Sequence, residues 1–355
     1  MIEFLSDYGL FLAKAVTIVI AILMIIAVAA ATAQSRQRRD HKGEIQVTPL
    51  NDFFEDLRDA LRHNILDKDE LKDIEKARKK EEKAKKKHKE EARRKRVFVL
   101  DFDGDVKASG VEEFANEVTA VLTMAEKQDE VVLRLESPGG QVHSYGLASS
   151  QLERIRQKEI PLTVCVDKVA ASGGYMMACT ANKIIAAPFA ILGSIGVVAE
   201  LPNFNRILKK YDVDYDIYTA GDFKRTVTML GENTEEGKKK FVEEIEETHV
   251  LFKDLIKRNR PALDVDAVAT GEHWYGQQCV DLGLIDVIQT SDDYLYDASQ
   301  SSDIFEVSYE VKKSMADRLG FAMEGYIFAA IIFWIICYAM SKYSYNLENK
   351  YKTER

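Results

Sequence analysis

The sequence predicts an α/β domain whose parallel sheet is flanked by helices. Two observations carry this. Apolar, β-branched runs alternate with segments of helical period between Val97 and Ala187, and glycine-rich stretches follow two of those runs. Strand–helix–strand order makes successive strands parallel, because the intervening helix returns the chain to the same end of the sheet.

The run at 97–102 (VFVLDF) opens the domain as a buried strand, followed by helical period over 111–127 and a strand at 131–135. A helix near 145–157, a strand at 162–166, a helix from Ser172 and a strand at 184–187 continue the alternation. Ligand sites in such sheets lie beyond the carboxyl ends of the strands. Ser137-Pro138-Gly139-Gly140 and Ala171-Ser172-Gly173-Gly174 both fall there. Beyond Val198 the pattern predicts a short helix at 204–210 and a strand at 215–219. A long helix at 235–258 follows, which Thr234 can cap and Pro261 ends. Smaller helices at 264–270 and 275–282 and an edge strand at 304–311 complete the domain, placed at 97–312.

The chain ends differ from this domain. An apolar run at 10–33, interrupted chiefly by Lys14, is long enough to cross a bilayer. Ala31-Thr32-Ala33 would fit a signal-peptidase site, but Glu3 and Asp7 occupy the flank where a signal carries positive charge, so an uncleaved anchor over 1–35 is expected. A second apolar run, 321–340, carries Tyr326 and Trp334 and is broken by Glu324; it is expected to span the membrane within 313–355, with an interfacial or partner-packed helix as alternatives. Between anchor and domain, 36–96 is expected to be a charged helical stalk. Residues 75–96 hold 13 Lys and Arg against 5 Glu in a chain of net charge −9, yet lack the aromatics that stack on bases, so nucleic acid is not expected as a partner and lipid is the stronger alternative.

With 355 residues, 46% of them hydrophobic and 30% charged, the chain can fill one large core or two ordinary ones. Its four cysteines are far apart, and no H-E-x-x-H, phosphate-cradling loop or paired-carboxylate motif occurs. No metal and no cofactor are expected.

Ser172 stands where a strand passes into a helix. Its hydroxyl can cap that helix, the ordinary role of such a serine, or can stand at the mouth of a site where unpaired helix N–H groups favour negative charge. Gly173 and Gly174 lack Cβ atoms, so a substrate backbone could approach the hydroxyl closely.

Four motifs decide between these roles: Glu136-Ser137-Pro138-Gly139-Gly140, Asp167-Lys168-Val169-Ala170-Ala171-Ser172-Gly173-Gly174-Tyr175, Gly193-Ser194-Ile195-Gly196-Val197 and Gly221-Asp222-Phe223-Lys224-Arg225. In this order and spacing the chain resembles the signal peptide peptidase A family of serine peptidases, over roughly 97–288. The resemblance implies Ser172 as nucleophile, Lys224 as general base and Ser194 as the group orienting the lysine. It implies an oxyanion-hole N–H from Gly139, with Gly140 and Gly173 beside it. It also implies a crotonase-like (Clp-type) fold, a homo-oligomeric ring with sites near subunit contacts, and a bacterial inner-membrane location with the peptidase domain in the periplasm. Arg36, Arg38, Arg39 and Lys42 directly follow the first apolar run, whereas 1–9 contain no Lys or Arg, and this charge distribution favours the cytoplasmic side.

The residue types make chemical sense. A serine hydroxyl needs a base to take its proton, and lysine is a base only when neutral, which requires apolar and largely dry surroundings. Phe223 and the apolar neighbours of Ser194 are candidates for that lining, with Arg225 a second positive charge nearby. Singly, Lys224 reads as a surface lysine, Ser194 as a turn serine and Ser-Pro-Gly-Gly as a tight turn; only their joint occurrence argues otherwise. A rival Ser-His-Asp arrangement would use His143 and Asp167, while His273 fits packing or capping. The expected function is a membrane-anchored serine endopeptidase acting on peptides or unfolded segments, such as signal-peptide remnants or damaged envelope proteins. The alternatives are an acyl-CoA enzyme on the same fold and an inactive scaffold.

Overall fold

The structure is a computed structural model that describes residues 43–87 and 94–311, with scattered helical positions between 326 and 342. The apolar run at 10–33 lies outside the described residues, and so does most of 321–340. Among the described residues no helix is long and apolar enough to cross a membrane. The sheet and site belong to the compact unit Ile45–Tyr309.

Seven strands form the main sheet. In chain order they are β1 (Glu44–Pro49), β2 (Arg96–Asp103), β3 (Glu130–Glu136), β4 (Leu162–Val166), β6 (Lys183–Ala186), β9 (Val287–Ile288) and β10 (Asp303–Glu310), arranged β1-β10-β2-β3-β4-β6-β9. Every pair from β10 to β9 is parallel, as the alternation predicts. A small second sheet holds β5 (Val169–Ala171), β7 (Ile191–Gly193) and β8 (His273–Tyr275), the last antiparallel.

The helices α1 (Leu50–Ile65), α2 (Lys68–Lys87), α3 (Val111–Leu122), α4 (Val142–Gln157), α5 (Gly173–Ala178), α6 (Asn205–Lys210), α7 (Glu235–Asn259), α8 (Val265–Val268), α9 (Gly276–Asp281) and α10 (Ser291–Ser299) complete the described elements. Side chains alternate across a strand, so β2 feeds two cores. Phe98, Leu100 and Phe102 pack with Phe114 and Val118 of α3 and Leu152 of α4, while Val97 and Val99 pack with Leu295 of α10. Burial on both faces explains why these strands read as near-continuous apolar runs.

Three expectations are corrected. The strand at 304–311 is not an edge: β10 lies between β1 and β2, and β1 comes from the segment expected to be helical stalk. Asn51 of α1 fastens that segment down, donating to the Ser302 carbonyl at 3.0 Å and accepting from the Ile304 N–H at 2.7 Å. Residues 215–219 form no strand, because their β-branched and aromatic side chains find no neighbouring strand to pair with. The single helix expected over 275–282 is shorter, and strand β8 precedes it. The long helix is close to expectation, with Thr234 Oγ1 accepting from the Gly237 N–H at 3.0 Å.

Candidate active site

Strand β5 brings Ser172 to its place. The Ser-Pro-Gly-Gly turn runs alongside β5: the Ser137 N–H donates to the Val169 carbonyl at 2.8 Å, and the Ala171 N–H donates to the Ser137 carbonyl at 3.0 Å. At the end of β5 the chain turns sharply into α5, and Ser172 takes φ 51° and ψ −116°. A side chain in this region is strained by roughly 1–3 kcal/mol, so the conformation persists only where its surroundings impose it. Here the Ser172 N–H donates to the Gly193 carbonyl at 2.8 Å, and its own carbonyl accepts from the Met176 N–H at 2.9 Å. A serine held on a strained strand-to-helix turn projects its hydroxyl away from both elements. The hydroxyl makes no capping bond to α5, so the ordinary role is set aside.

Gly139 (φ 88°) lies directly against Ser172. A Cβ there would meet the Ala171 carbonyl oxygen and Ser172 Cβ at 2.7 Å and the Gly173 nitrogen at 2.8 Å. Its N–H donates to Ser137 Oγ at 3.1 Å, so this group, which the resemblance implies as an oxyanion donor, already has a partner. Ser137 Oγ in turn meets the Tyr145 hydroxyl at 2.5 Å, and Tyr145 donates to the Asp105 carbonyl at 2.8 Å. The Tyr145 ring lies where a Cβ on Gly173 would go, at 2.4 Å from its Cγ. Sequence reasoning treated Ser137 only as part of a turn and gave Tyr145 no role. Their burial and mutual bond, absent from any sequence pattern, show that they support the turn beside Ser172.

Ser172, Gly140, Gly173 and Ser194 line one cavity of about 560 Å³. Its further walls include Gln141, Val142, Met176, Val197, His249, Phe252 and Thr270. Ser194 also has a positive φ, 51°, fixed by donation from its N–H to the Glu272 carbonyl at 2.6 Å. Another hollow of similar size, between Leu122 and Lys158, is open and lined by Glu126, Lys127 and Gln128, with no nucleophile.

Lys224 is not brought to this cavity. It is exposed, on the irregular stretch between α6 and α7, and is not among the described residues lining the Ser172 cavity. The apolar, dry surroundings expected for it are not present around it within the single chain. Phe223, expected to line them, is half exposed with Lys240 Nζ 5.9 Å from its ring centre, and Arg225 is exposed. The rival triad is not assembled either. Asp167 accepts from the Ser291 N–H at 2.9 Å and from the Ser291 hydroxyl at 2.5 Å, and His143 is exposed on α4. Exposed His273 lies in β8. Cys165, Cys179 and Cys279 are buried free thiols, and burial pushes Cys179 and Cys279 up to about 12, so none is a ready nucleophile. Among the described residues no cluster of His, Cys, Asp or Glu could hold a metal.

Residues 3–152 match the model of Peptidase family S49 N-terminal, and residues 154–304 match that of Peptidase family S49. The chain belongs to peptidase family S49. This S49 chain is 50% identical over 329 residues to a protein named Probable protease SohB from Haemophilus influenzae, covering 90% of the present chain and 92% of the relative. It is 44% identical to another of that name from Buchnera aphidicola subsp. Schlechtendalia chinensis, over 82% and 99% of the two chains. A solved structure of a variant of the 1510-N membrane-bound stomatin-specific protease, in complex with a substrate peptide, covers 64% of the present chain and 96% of its own at 13% identity, with a TM-score of 0.39. The S49 match spans both the Ser-Pro-Gly-Gly turn and the Ser172 turn.

Proposed function

We propose that this S49 chain is a membrane-anchored serine endopeptidase in which Ser172 is the nucleophile and Lys224 its general base, on a crotonase-like fold. The observation that carries the reading is the backbone of Ser172: a strained turn, fixed on both sides, whose hydroxyl is withheld from capping and borders a cavity. Such strain clusters at functional sites. The first N–H groups of a helix have no partner within it, so the Gly173 N–H is a fitting oxyanion donor. Gly140, which lines the same cavity, is a second, with Gly139 serving as the spacer that lets Ser172 approach.

Lys224 needs a neighbour to become a base. The stretch carrying it, between α6 and α7, exposes large apolar side chains, among them Tyr211 at 70% and Tyr218 at 91%, with Val213, Tyr215 and Ile217. Contiguous apolar exposure of this kind marks an interaction surface. In the proposed homo-oligomeric ring a neighbouring copy covers this stretch, dries Lys224 and delivers it to a Ser172 hydroxyl, with Ser194 orienting the amine. The substrates are peptides and unfolded segments at the bacterial inner membrane, such as signal-peptide remnants or misfolded envelope proteins, met on the periplasmic side.

A fluorophosphonate probe tests the dyad in the full chain. Labelling lost in both Ser172→Ala and Lys224→Ala is the expected result. Undiminished labelling in both retires the reading.

A further inference from the structure

His249 stands in the second half of α7 and lines the cavity that holds Ser172. Phe252, on the next turn of α7, is buried beside it in the wall, and so are Met176 and Ala269. The Nε2 atom of His249 is buried and has no hydrogen-bond partner. Among the described residues the same holds for one Glu113 oxygen, which is not part of this cavity. Buried polar atoms are almost always paired, because an unpaired one has lost water and gained nothing in return. The wall of the cavity therefore carries a ring whose bonding capacity the chain itself leaves unused.

We propose that His249 is a specificity-determining residue: a ring nitrogen pairs with a side-chain hydroxyl or carboxamide of the bound peptide. This rests on the reading that the cavity binds peptide at Ser172. The Cβ–Cγ torsion of histidine is broad and two-fold, so the ring can turn toward a bound peptide without moving α7. Neutral imidazole offers one donor and one acceptor, which matches a hydroxyl or a carboxamide, each able to do both. The other walls combine apolar Val142, Met176, Val197 and Phe252 with polar Gln141, Ser194 and Thr270; threonine and valine have nearly the same shape, so the part of any preference between them that belongs to His249 is the part its substitution removes. A site holding an unpaired polar group discriminates strongly against the isostere that leaves it unpaired.

The test uses the full chain and paired synthetic peptides carrying Thr or Val, in turn, at each position flanking the scissile bond. Cleavage is measured with the native protein, and binding by fluorescence anisotropy with Ser172→Ala. At one position Thr is preferred over Val by about tenfold or more in both measurements. His249→Leu brings that ratio to near one, chiefly through KM. His249→Gln, which keeps a hydrogen-bonding group, retains part of the preference. A Thr/Val ratio that His249→Leu does not alter overturns the proposal, as does the lack of a Thr preference, or of any binding, in the His249 protein. Binding with the expected preference but without cleavage would instead sink the peptidase reading and leave the assignment of His249 standing.

Discussion

Replacing Gly139 with alanine tests whether the Ser-Pro-Gly-Gly turn sets the position of Ser172. The new Cβ would lie 2.7 Å from Ser172 Cβ and the Ala171 oxygen and 2.8 Å from the Gly173 nitrogen. All three lie under 3.0 Å, closer than side-chain Cβ atoms come to their neighbours, so something must shift. None of the three atoms is the far end of a flexible side chain, so relief requires the turn and the β5–α5 junction to separate. Forcing alanine to φ 88° adds about 1–2 kcal/mol, and overpacking adds about 1–3 kcal/mol, for a total loss of about 2–5 kcal/mol. Displacing a nucleophile by about 1 Å costs about a hundredfold in rate. Gly221→Ala isolates the strain, because φ there is 97° and nothing lies within 4 Å, so it should lose only about 1–2 kcal/mol. Urea unfolding and the rate of fluorophosphonate labelling measure the two effects. If Gly139→Ala is no less stable than Gly221→Ala, or labels at the native rate, the turn does not position Ser172.

Two further predictions concern stability. Burial pushes the Glu117 carboxyl from 4.5 up to about 7, even though it accepts from the Tyr309 N–H at 2.8 Å, with Asp101 and Glu113 adding repulsion. Because the folded value is raised, this group favours folding fully below 4.5, and that contribution is lost as pH rises to about 7. Glu117→Gln should therefore gain about 3 kcal/mol relative to the native chain on going from pH 4 to pH 8, and parallel urea curves for the two proteins across that range would contradict this. Asn51→Ala strands the Ile304 N–H and leaves the Ser302 carbonyl with only its longer bond from Arg94, and should cost about 1–3 kcal/mol in urea unfolding; an unchanged midpoint would mean that α1 is not fastened to β10.

What could be read along the chain was whatever depends on near neighbours in sequence. The strands at 97–102, 131–135 and 162–166 announce themselves because both faces are buried, leaving almost no polar position within them. Helix α7 was delimited by Thr234 at one end and Pro261 beyond the other, both acting within a turn or so of themselves. The motif glycines signalled turns, and Gly139 and Gly193 do take the left-handed values that only glycine adopts freely.

What the tertiary structure alone decided depends on partners distant in sequence. Strand β10 is interior because β1, more than 250 positions earlier, covers it, and 215–219 stays irregular because no strand lies beside it. The sequence marked Ser172 as either cap or nucleophile; the Gly193 carbonyl and the close approach of Gly139 fix the turn that withholds it from capping. The Gly139 N–H goes to Ser137, and His249 joins the cavity wall from a helix whose sequence signals only its two ends. A pattern of residue types records what each segment prefers alone, whereas a cavity is made of side chains that meet only after the chain has folded.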